Sequence, residues 1–62
     1  MNKIYLEVLE RDVKKSGLTK QEVREIYQMM TNLAVILNNG TDKEKEWARE
    51  DARELLTKLG RI

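Results

Sequence analysis

Apolar residues recur at helical spacing in three stretches of the chain, separated by two short polar breaks. In the first stretch Leu6, Leu9 and Val13 form one row and Ile4 and Val8 a second, with Lys3, Glu7, Glu10, Arg11 and Lys14 on the remaining faces. In the second, Val23, Ile26, Tyr27, Met30, Leu33, Ala34 and Leu37 make a continuous stripe at about 100° per residue. In the third, Ala48, Ala52, Leu55 and Leu59 follow one another at spacings of four, three and four, with Leu56 beside Leu55 and three before Leu59. The pattern predicts helices over 3–15, 20–38 and 42–59.

The ends of these segments carry their own chemistry. Gly17 suits a left-handed residue just past the first helix, with Val13 and Leu18 as the apolar pair of a Schellman close. Thr19-Lys20-Gln21-Glu22 and Thr41-Asp42-Lys43-Glu44 both read as capping boxes, and Leu18 with Val23 as a hydrophobic staple. Asn39 or Gly40 is expected to take a positive φ at the end of the second helix, and Gly60 closes the third. Connections of three or four residues make sequential helices antiparallel. The expected fold is all-α, an up-down-up three-helix bundle, with residues 1–62 forming one domain.

A 62-residue chain buries only about 60% of its unfolded surface, so core is scarce. Cys and His are both absent, which removes disulfides, thiolate metal sites and the commonest general base. No metal, cofactor or catalytic residue is therefore expected. Lys and Arg number 12 against 11 Asp and Glu, without the basic excess of a nucleic-acid module. No apolar run is long enough to span a membrane, and residues 1–13 lack a signal-peptide pattern. A natural chain of this kind is expected in the cytoplasm.

Most carboxylates fall on polar faces beside Lys or Arg. Asp12 and Asp51 instead fall within or beside apolar arcs, a placement that raises the question of a catalytic acid. With no partner nucleophile or phosphate-binding loop, a polar contact at a binding rim explains Asp12 better. Gly17-Leu18-Thr19-Lys20-Gln21-Glu22-Val23 resembles the opening of the first helix in helix-turn-helix repressors. Those proteins turn again after about eight residues, whereas this apolar stripe runs on through Ile26, Met30 and Leu33. Tyr27 reads as core. Tyr5 and Trp47 lie at the margins, as core filling or as binding anchors. Trp47 is also the available source of bulk in the sparse first half of the third helix.

The second helix has more apolar surface than one core needs. Met29 and Ile36 flank its stripe, and Val35 and Leu33 cannot both face inward. A patch shared by the first and second helices is expected from Ile4, Tyr5, Val8, Asp12, Met29, Asn32, Val35 and Ile36. A partner protein is its natural occupant. Self-association through the second helix into a homodimer is the alternative, ahead of DNA binding.

The chain as a whole resembles computationally designed three-helix mini-proteins. Its two capping boxes, glycines past the helix ends and the tract from Asp42 to Leu56, with charged faces and an Ala/Leu stripe, carry the likeness. The Met-Asn-Lys start, the Met29-Met30-Thr31-Asn32-Leu33 tract and Asn38-Asn39 depart from that idealised pattern. Such proteins are commonly built as binders that present two helices to a target, and the resemblance implies the same use here.

Overall fold

Thr19 and Thr41 each start a helix as the spacing predicts. The Thr19 hydroxyl accepts the Glu22 N–H at 3.2 Å while the Glu22 carboxylate accepts the Thr19 N–H at 3.1 Å. Thr41 and Glu44 repeat the arrangement at 3.2 and 3.0 Å. In the computed structural model, which describes residues 2–62, these caps open α2 (Lys20–Asn39) and α3 (Asp42–Lys58). Asn2 caps α1 (Lys3–Ser16) through its side-chain oxygen, which accepts the Ile4 N–H at 2.9 Å. No strand forms among the described residues. The chain is an up-down-up bundle in which α2 packs against both α1 and α3.

The helix ends differ from expectation in three informative ways. Gly17 is left-handed at φ 72°, but its N–H reaches the Val13 carbonyl at 3.1 Å in the simpler single-bond close. The Leu18 N–H that a Schellman motif would use is taken by the Ser16 hydroxyl at 3.2 Å. Neither Asn39 nor Gly40 adopts a positive φ, because α3 begins almost at once and Gly40 is extended at φ −77°, ψ 170°. Glycine is needed there for space. A Cβ on Gly40 would lie 2.6 Å from the Ile36 carbonyl oxygen and 3.2 Å from Glu44 Cβ. The full Schellman motif appears instead at the end of α3. There Gly60, at φ 77°, donates to Thr57, and Arg61 donates to Leu56.

Leu9, Val23, Ile26, Leu55 and Leu59 form the core, with Val13, Leu18, Tyr27, Met30 and Leu33 packed around it. Ala48 is buried as well, letting α3 lie close to α2. Trp47 does not supply bulk beside it: the indole is 56% exposed, with the Lys43 ammonium 5.6 Å above its ring. The remaining exception is polar. Asp12 is completely buried.

Candidate interaction surface

The eight residues expected to form one patch occupy several parts of the molecule. Asp12 is not at a rim at all. It faces inward from α1, 0% exposed, and its carboxylate accepts hydrogen bonds from the Tyr27 hydroxyl and from Arg61. Arg61 binds as a two-pronged fork, Nε to Oδ1 at 3.2 Å and Nη2 to Oδ2 at 2.5 Å. The Schellman turn at Gly60 folds the chain back and places Arg61 there. The guanidinium also lies 5.8 Å from the Tyr27 ring centre, and Tyr5 meets that ring edge-on at 5.9 Å.

This arrangement holds the first helix, the second helix and the C-terminal tail together. Burial alone would raise the Asp12 pKa, but the bonds from Arg61 and Tyr27 and the Arg61 charge outweigh it and hold the carboxyl below its usual value. Burial and the facing carboxylate push the Tyr27 hydroxyl up to about 12. No buried side-chain nitrogen or oxygen lacks a partner among the described residues. A carboxylate saturated in this way is a structural fastening, with no lone pair aimed at solvent.

Met29 and Asn32 lie on the α3 side of α2. They line a groove with Leu33, Asp51, Glu54 and Leu55. Met29 also joins Leu18, Glu22, Glu25, Ile26 and Lys58 in the next stretch of the same seam. The two stretches make one trough along α2 and α3. Its floor is apolar, its centre is Met29 at 46% exposure, and its walls carry four carboxylates against one ammonium. Trp47 precedes Asp51 and Glu54 on α3 by one and two helical turns, so it extends the same face.

Tyr5 belongs elsewhere, in the groove between α1 and α2 with Arg24, Tyr27, Gln28 and Thr31. Val35 and Ile4 are exposed at 57% and 68%, and neither lines the α1–α2 groove or the α2–α3 trough. Val8 is half-buried, and Ile36 sits half-buried against the close approach at Gly40. The apolar surplus is therefore real, but it is divided among faces of α2 and the outside of α1.

Among the described residues no group of acidic, His or Cys side chains is arranged to hold a metal ion, and no helix is long and apolar enough to cross a membrane. No protein-family model, curated protein or solved structure matches the chain.

Proposed function

We propose that this chain is a protein-binding module whose trough between α2 and α3 receives an amphipathic helix. The observation that carries the reading is the trough itself, an apolar floor of helical length centred on exposed Met29. Helix-in-groove recognition needs this combination: anchors at helical spacing enter an apolar seam, and polar walls set orientation and charge preference. Acidic walls favour a partner helix that carries Lys or Arg beside its apolar stripe. The likeness to designed binders supports the same use, with the presenting helices being the second and third rather than the first and second.

The test is a titration of the protein into a fluorescein-labelled Leu/Lys amphipathic helix, followed by anisotropy. Saturable binding is expected, weakened by salt and abolished by Met29→Asp in a variant that keeps its helical circular dichroism. Absence of binding, or binding that Met29→Asp leaves unchanged, contradicts the reading.

A further inference from the structure

We infer that the helix received by the trough is α1 of a second copy of this chain, so that copies associate head to tail. The inference rests on the helix-binding reading of the trough and names its occupant. On α1, Ile4, Val8, Arg11 and Lys15 follow at spacings of four, three and four and share one stripe. Its first half is apolar, led by Ile4 at 68% exposure, and its second half is basic. None of these positions is acidic, and Glu7 stands at the margin one turn before Arg11. Asp12, on the inner side of the helix, is buried and paired with Arg61; the Arg11 side chain is 53% exposed while its Nε stands 3.7 Å from Asp12 Oδ1.

Stripe and trough match in length and charge. The stripe from Ile4 to Lys15 and the α2 wall from Glu22 to Leu33 each run about 17 Å at ~1.5 Å per residue. The stretch of the trough with Asp51 and Glu54 is lined by no cation, although Lys58 follows Glu54 by one turn and Arg53 shares its other flank. The stretch with Glu22 and Glu25 is lined by Lys58 itself. The basic half of the stripe therefore belongs beside Asp51 and Glu54, with Ile4 and Val8 laid toward Leu18 and Met29. Donor and acceptor surfaces are different parts of the molecule, so the contact is heterologous and propagates into a ring or a chain.

Sedimentation velocity across concentrations up to the millimolar range tests this. The mean mass is expected to rise above one protomer with concentration and to fall in about 1 M salt, where the Debye length is ~3 Å. Ile4→Asp, which blocks the stripe, and Met29→Asp, which blocks the trough, are each expected to be monomeric. Mixed one to one, they should form a dimer and stop there, since one good stripe meets one good trough. Glu54→Lys, on the exposed trough wall, replaces Met29→Asp if that variant loses its helical spectrum. Lys15→Glu should weaken association, and adding Glu54→Lys in the same chain should restore it. A wild-type chain that stays monomeric, or blocked variants that fail to pair, overturns the inference. Binding of the Leu/Lys peptide by such a monomer would leave the helix-binding reading standing while removing the second copy; absence of both would remove the two together.

Discussion

Asp12 and Met29 invert the usual placement of their residue types. The acid is wholly buried while the thioether, on a neighbouring helix, is nearly half exposed. The difference lies in what each can be given. Asp12 is offered three hydrogen bonds and a full counter-charge, so its burial costs little beyond desolvation already offset. Met29 has α3 on one side only, and among the described residues no fourth helix lies across the seam. A fully partnered polar group belongs to the fold; an apolar group left without cover belongs to whatever docks.

Charging each region should separate them most sharply at the core. Leu9→Asp is expected to unfold the domain, because an unpaired charge at a completely buried position costs several kcal/mol. Met29→Asp should remain folded, with a change within about 1 kcal/mol by urea denaturation. Equal losses would erase the distinction between inside and outside on α2.

Arg61→Ala comes next, with an expected cost of about 3 kcal/mol, since it strands a buried carboxylate. Asp12→Ala should cost less, because the released Arg61 can turn toward water. The pH dependence follows from the same bonds. Asp12 is held below its unfolded pKa, so its contribution is fully present above about pH 4 and is lost as pH falls through the folded value. Tyr27 is raised to about 12; its contribution is complete below about pH 10 and is lost as pH rises from there. Melting temperatures of wild type and Arg61→Ala should therefore converge in acid. A gap that stays constant from neutral pH into strong acid would contradict the Asp12 assignment.

Gly17→Val should cost more than about 1 kcal/mol, because a β-branched residue is strongly disfavoured at φ 72°. Space is not the reason there, since nothing lies within 4 Å of the added Cβ. Val35→Asp is the smallest expected effect, within about 0.5 kcal/mol in a chemical melt, as befits an exposed position outside the α2–α3 trough.

Thr19 and Thr41 show what local chemistry makes legible. Each cap is completed by a residue three positions away, so the pattern and its bonds lie within one short stretch of sequence. Gly40 marks where that reasoning weakens: the turn residues suggested a left-handed close, but the immediate start of α3 demanded an extended one. Asp12 was visible only as an acid on an apolar arc. Its partner Arg61 lies 49 positions away in what reads as a short tail, and no local pattern links them. The patch was misassembled for a related reason. Helical spacing orders the residues around α2, but it does not tell which neighbouring helix lies on which side, and that decides whether Met29 and Asn32 join Tyr5 or Asp51.

Trp47 supplies the most direct measurement of the central claim that the α2–α3 face is an uncovered docking surface. It is the single tryptophan of the chain, more than half exposed on that face. Its fluorescence emission should shift to shorter wavelength as protein concentration rises or as the Leu/Lys helix is added, and Met29→Asp should remove the shift. An emission maximum that stays fixed through both titrations, in a protein that remains helical, would contradict the claim.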